Sequence, residues 1–191
     1  MDQYTERQAH GFKYEQEVID RYNLEREQNY SSKWDAYFRG IPVSIKTCTK
    51  KGAVHMGDFI RNATLTHNFI LIIGFWEPGL DGVKVFDDDI ILYINKEVWV
   101  EQFPHDAVAK MTTVFEGITN SYADDSLWIE RRKAYNKEWN DYKTGINIHF
   151  KRDHKIQKRI QCSIRREFLS DILIPYYQTT LDAIYINEED K

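Results

Sequence analysis

Asp35, Ser44 and Lys46 stand where two strands of a short hairpin would bring them together, and Glu15 precedes them on a helical stretch. A turn centred on Arg39-Gly40 pairs positions whose numbers sum to about 79 or 80, which sets Asp35 across from Ser44 or Ile45. Ser44 and Lys46 are two residues apart and so share one face of their strand. Directly opposed residues hold their Cβ atoms about 4.5–5.5 Å apart, and diagonal ones about 7–8 Å. A carboxylate and a lysine on one sheet face suit a hard divalent cation, whose water the ammonium orients or helps deprotonate. One Asp and one Lys on a hairpin also make an ordinary solvated sheet face, so the spacing alone leaves both readings open.

The elements that must position these residues follow from the hydrophobic pattern. Residues 5–28 predict a helix, with Phe12, Glu15, Val18 and Ile19 on one face. Residues 34–38 and 41–47 are β-rich and flank the Gly-containing turn, as a hairpin requires. Residues 58–66 predict a short helix, with Asp58 at the positive end of its dipole. The run FILIIGF at 69–75 is continuously apolar, as in a strand buried on both faces. Two more strands, 83–86 and 90–94, are expected around a turn at Asp87-Asp88-Asp89; no EF-hand spacing follows to make that triplet a calcium loop. From residue 96 to about 142 the pattern is helical, with a strand near 146–150. This order gives an α/β or α+β protein with a mixed β-sheet flanked by helices.

The order of residues, taken together, resembles the PD-(D/E)xK nuclease superfamily, which includes type II restriction endonucleases and Holliday-junction resolvases. The resemblance lies in Gly11-Phe12-Lys13-Tyr14-Glu15 on a helix, Trp34-Asp35 and Ser44-Ile45-Lys46 on paired strands, and the following helix and apolar strand, covering residues 8–76. It implies a restriction-endonuclease-like core in which Asp35 ligates Mg²⁺, as one ion or two. By the same resemblance Lys46 positions or activates water, Ile45 offers its backbone carbonyl to the metal, and Glu15 adds a further acid, with Glu17 the lesser substitute. The pattern departs at Ser44, where the superfamily usually has an acid. Asp58, 12 residues after Lys46, stands either as the replacing carboxylate or simply as a helix N-terminal residue. The reading that follows is a Mg²⁺-dependent endonuclease acting on double-stranded DNA, of the type II restriction kind. A homodimer for a palindromic target and a cognate DNA methyltransferase encoded nearby are the implied partners. A resolvase or repair nuclease of the same fold, and a non-catalytic DNA-binding module with a degenerate site, are the alternatives. An interaction protein with an acidic partner is the plainest reading of all.

Charge distribution supplies an independent argument. The chain has 191 residues and a net charge of −4, yet residues 131–166 carry 12 basic and 3 acidic groups, whereas residues 77–130 carry 3 basic and 12 acidic. The basic block interleaves Tyr135, Trp139, Tyr142 and Phe150, a combination that suits a phosphate backbone with stacking groups at hand; a solvated face balancing the acidic middle of the fold is the other reading. Lys151, Arg152, Lys155, Lys158 and Arg159 are the expected phosphate contacts, and Arg61 either joins them or pairs with Asp58. Asn136, Asn140, Asn147 and Gln157 could bridge adenine edges. His149 and His154 flank the basic loop as exposed or phosphate-facing histidines; a faint resemblance to ββα-metal nucleases lacks a further ligand. Trp34 is expected in the core.

Composition excludes other classes. With 42% apolar and 29% charged residues the chain reads as one globular domain, with a catalytic core at about 8–95 and a helical, basic DNA-binding segment at about 96–191. The longest apolar run, FILIIGFW, is far short of the about 20 residues of a membrane span. The N-terminus carries both charge signs, unlike a signal peptide. Two cysteines make neither a disulfide framework nor a structural zinc site, so a reducing, cytoplasmic setting is expected. Gly-rich phosphate loops and Ser/His/Asp orders are missing, which argues against nucleotide hydrolysis and acyl transfer.

Overall fold

The computed structural model describes residues 3–29, 32–79, 83–120, 125–152 and 158–184. Within them the chain runs α1 (Gln3–Tyr22), β1 (Glu25–Arg26), β2 (Ala36–Phe38), β3 (Ile41–Thr49), β4 (Val54–Asp58), α2 (Phe59–Ala63), β5 (Phe69–Pro78) and β6 (Lys84–Ile94). It continues through α3 (Lys96–Glu101), α4 (His105–Asn120), α5 (Asp125–Asp141), β7 (Ile146–Arg152) and β8 (Lys158–Ile164). Two short helices, α6 (Arg166–Phe168) and α7 (Ile174–Tyr177), are joined by a π-helical turn at Leu169–Leu173. The protein is α/β, with a mixed sheet flanked by helices. Strand order is β1-β2-β3-β5-β6 in the mixed sheet and β4-β8-β7 in a second, antiparallel sheet.

Alternation in β5 explains the layering. β5 pairs parallel with β3 and antiparallel with β6, so its backbone is satisfied on both edges. Its side chains then divide between two cores. Ile70 and Ile72 join Val43, Ile45 and Ile91 beneath Tyr14, Val18 and Ile19 of α1. Leu71 and Ile73 join the inner face of the second sheet, with Ile146, Ile148, Ile160, Cys162 and Ile164. Each fully buried aliphatic side chain contributes about 1.5–3 kcal/mol of transfer free energy, which is why an uninterrupted apolar run belongs at the centre.

Several expectations are corrected. The first helix ends at Tyr22 rather than 28, because residues 25–26 pair with β2 as an edge strand. Phe12 is 50% exposed; Tyr14 takes the buried place on that helix. The expected turn at Asp87-Asp88-Asp89 is instead the middle of one continuous strand, β6, whose register with β5 shifts between Gly74 and Trp76. Asp89 lies there with a fully buried side chain, accepting hydrogen bonds from Tyr14, Tyr22 and Arg21. β4 and β8 were invisible in the pattern, yet they pair with each other and tie the basic block to the N-terminal half. The interleaved aromatics serve packing: Trp139 and Phe150 are buried, with Trp139 Nε1 donating to the Ile146 carbonyl. Trp34 packs against Phe69, as expected, with ring centroids 5.4 Å apart.

Candidate active site

The hairpin forms in the anticipated register. Ala36 pairs with Val43, Tyr37 with Pro42 and Phe38 with Ile41, and the two turn residues, Arg39 and Gly40, both take positive φ (51° and 83°). Two such residues in succession make the turn whose twist matches the flanking strands. β2 is only three residues long and β3 is nine, so the pairing stops just where Asp35 N–H donates to the Val43 carbonyl (3.0 Å). Beyond that point the same edge of β3 presents the N–H and carbonyl of Ile45 with no strand opposite. Side chains take over. Ile45 N–H donates to Asp35 Oδ2 (2.6 Å), and Lys46 Nζ donates to both Asp35 Oδ2 (2.8 Å) and the Ile45 carbonyl (2.9 Å). Ser44 Oγ, in a buried position, lies 3.4 Å from the same carboxylate oxygen.

The fork of the hairpin is therefore a cluster of hard oxygens around one ammonium. Lys46 and Asp35 keep 23% and 22% of their side-chain exposure, so both remain reachable from solvent. Glu15 on α1 is coupled to the cluster through its charge: burial raises its carboxyl above the ordinary carboxylate range and Asp35 pushes the same way, while Arg26 and Lys46 oppose them. That electrostatic coupling places Glu15 in the field of Asp35 and Lys46. Glu17 on the same helix faces out and pairs with Lys13 (3.7 Å).

Asp58 belongs to the other wall. A bulge between His55 and Gly57, with Gly57 at φ 81°, turns β4 into α2. Asp58 then caps that helix, its Oδ1 accepting from Arg61 N–H (2.9 Å). It lines an open cleft of about 770 Å³ together with Lys33, Lys46, His55, Arg61 and Arg159. Among the described residues no three His, Cys, Asp or Glu side chains gather closely enough to hold a metal by themselves. The oxygens present nonetheless fit a hydrated Mg²⁺, which takes one or two carboxylates and keeps several waters. Asp35 Oδ2 and the Ile45 carbonyl already converge on one cation, the Lys46 ammonium.

Of the basic residues expected on DNA, Lys151 and Arg159 pair in register toward the connected end of the β7–β8 hairpin and are exposed. Arg152 and Lys158 oppose each other one step further out, and Lys155 lies outside the described residues, as do His154 and Gln157. Arg61 is exposed on α2. Asn140 is taken up by Arg165 (2.6 Å), and Asn136 Oδ1 is buried without a partner, so neither amide is presented as a free base-reading group. Asn147 sits on the outer face of the second sheet. His149 is there too, with Nε2 2.8 Å from the buried Ser163 Oγ and its ring 5.3 Å from that of His55. β8 is flanked by β4 on its other edge and followed by the three-residue α6, an arrangement unlike a ββα-metal site.

Lys33 was not anticipated. Its Nζ, in a part-buried position, donates to the Arg61 carbonyl and Asn62 Oδ1 (3.2 Å each) and lies 4.9 Å from the Trp34 ring centroid. Burial drives its ammonium down to about 7. Its place two residues before Asp35 was the signal available. A larger cleft, about 810 Å³, opens by the hairpin turn among Trp34, Tyr37, Pro42 and Tyr93, but it contains none of the clustered acids or lysines. No protein-family model matches the chain, and neither a curated protein nor a solved structure is significantly similar to it.

Proposed function

We propose that this protein is a Mg²⁺-dependent DNA endonuclease with a restriction-endonuclease-like core, hydrolysing phosphodiesters in the manner of a type II restriction enzyme. One observation carries the reading: at the hairpin fork, Lys46 Nζ sits 2.8 Å from Asp35 Oδ2 and 2.9 Å from the Ile45 carbonyl, with Glu15 in their field. A bound divalent ion would supply charge stabilisation at the attacking and leaving oxygens. Asp35, Glu15 and the Ile45 carbonyl are the groups that would hold it. Lys46 then turns its donors toward the water and the scissile phosphate, orienting the first and offsetting charge on the second. Ser44 holds the second position of the motif as a neutral hydroxyl on Asp35, and Asp58 faces the cleft from the opposite wall.

The test is a gel. Long unmethylated duplex DNA is incubated with the protein over a titration of Mg²⁺, beside Lys46→Ala. Discrete fragments that vanish in the variant support a sequence-specific endonuclease. Cleavage confined to branched DNA would move the assignment to a resolvase. Ser44 in place of an acid favours one other reading, a DNA-binding module without chemistry; intact duplex and intact junctions at every Mg²⁺ concentration, together with salt-sensitive duplex binding, would establish it.

A further inference from the structure

We infer that Lys33 is a phosphate-binding residue of the cleft, gripping the DNA backbone beside Lys46 with help from Arg61 and Arg159. The inference rests on the nuclease reading only for the identity of its polyanion. Lys33 is an ammonium in a part-buried position whose hydrogen bonds go to neutral acceptors, the Arg61 carbonyl and Asn62 Oδ1. Its approach to Trp34 (4.9 Å) and Phe69 (6.0 Å) replaces water with aromatic faces. Among the described residues no carboxylate lies within ion-pairing distance of it. Asp35 Oδ2 already accepts from Ile45 N–H and Lys46, and one oxygen of Asp58 is committed to the α2 cap. An ammonium desolvated without an ion pair, helped only by the charge of Asp58 from beyond ion-pairing distance, is costly, and an arriving anion offsets the cost.

The anion is a phosphodiester by charge and by distribution. The cleft is lined by the carboxylate of Asp58 and by four basic residues, Lys33, Lys46, Arg61 and Arg159, of which Lys46 is already paired with Asp35. They come from four separate parts of the chain: the segment before β2, β3, α2 and β8. Cations spread along an open groove follow a strand of linked phosphates, where a closed ring of donors would suit one free ion. Free phosphate has the same local chemistry, so the experiment must separate the two.

Binding of a fluorescein-labelled duplex is measured by anisotropy in EDTA across a KCl titration, for the wild type, Lys33→Met and Lys33→Arg, with thermal unfolding of each. Loss of one phosphate contact should weaken binding about tenfold at low salt and reduce the slope of log K against log salt by about 1 in Lys33→Met. Lys33→Arg should keep most of the affinity, and Lys33→Met should melt no lower than wild type, because it removes a buried charge without an acidic partner. Unchanged affinity and slope in Lys33→Met would overturn the inference. So would weakened binding with an unchanged slope and a lowered melting temperature, the mark of a structural lysine. Failure of the wild type to bind duplex, or displacement of Lys33-dependent binding by millimolar inorganic phosphate, would overturn it too. Since no metal is present, the outcome is separate from cleavage. Lys33-dependent binding by a protein that never cuts would sink the nuclease and leave this site standing, and a cutting enzyme indifferent to Lys33 would do the reverse.

Discussion

At the scale of single residues, the site is built from backbone groups that a short strand leaves unpaired. Ile45 would present a bare N–H and carbonyl at the sheet edge, and Asp35 and Lys46 satisfy them from either side. Lys46→Ala is expected to lower cleavage by at least about 10²-fold, the contribution of a positioned proton-transfer group, with duplex binding retained. A variant that cuts at the wild-type rate would remove Lys46 from the chemistry. Another residue-scale consequence concerns pH. Burial, then the neighbouring His55 and Lys151, hold the His149 imidazole below its ordinary value. The unfolded chain binds that proton more readily than the native one, so stability is complete above about pH 6.5 and declines as pH falls below it. Thermal unfolding should show a larger loss between about pH 7.5 and about pH 5.5 in wild type than in His149→Gln. Equal losses would mean the imidazole titrates normally.

At the scale of elements, the position of Glu15 depends on how α1 is pinned to the sheet. Tyr14 lies against Gly74 of β5, where a Cβ would meet the ring at 2.2 Å, and stacks on Phe86 with centroids 4.4 Å apart. Tyr14, Arg21 and Tyr22 then converge on Asp89. Burial and the Asp89 carboxylate push the Tyr14 phenol well above its usual range, so it stays a donor. Asp89→Ala strands three donors and should cost about 2–3 kcal/mol in urea unfolding, given that Arg21 is half exposed. Because α1 carries Glu15, the same variant should need more Mg²⁺ for half-maximal cleavage. If stability falls while the Mg²⁺ requirement does not move, the anchor is structural and Glu15 is dispensable. Gly74→Ala should act in the same direction through the Tyr14 ring alone.

For the molecule as a whole, the basic segment is part of the fold rather than an appendage. β7 and β8 bury Ile146, Ile148, Phe150, Ile160, Cys162 and Ile164 in the core they share with β5, and turn Asn147, His149, Lys151 and Arg159 outward beside His55 of β4. Both cysteines are buried and free, and burial raises their thiols, Cys162 to about 12. No described helix is long and apolar enough to cross a membrane. On the proposed nuclease reading, the cluster of Asp35, Lys46 and Glu15 in each chain would cut one strand. A palindromic target should therefore be cleaved on both strands only by two chains together. Light scattering of the DNA-bound protein should give the mass of two chains plus the duplex; one chain plus the duplex, with nicked circles as the product, would refute the dimer.

The hairpin register and the central strand were legible in the sequence because both are local. A Gly-containing turn sets pairing within ten residues, and an apolar run declares burial on both faces whatever covers it. The grouping of Asp35, Ser44 and Lys46 could be anticipated for that reason. The rest was decided by contacts across long stretches of chain. β4 carries no strong pattern of its own and becomes a strand because β8, more than 100 residues later, pairs with it. Asp89 looked like a turn residue because charge in a strand interior is unfavourable until Tyr14, Arg21 and Tyr22 meet it. Lys33 looked like any exposed lysine until α2 and the aromatic rings of Trp34 and Phe69 closed around it. Residue spacing reports which side chains share a face. Only the tertiary structure decides what lies opposite that face, and the field of that neighbour is what turns a charge into a site.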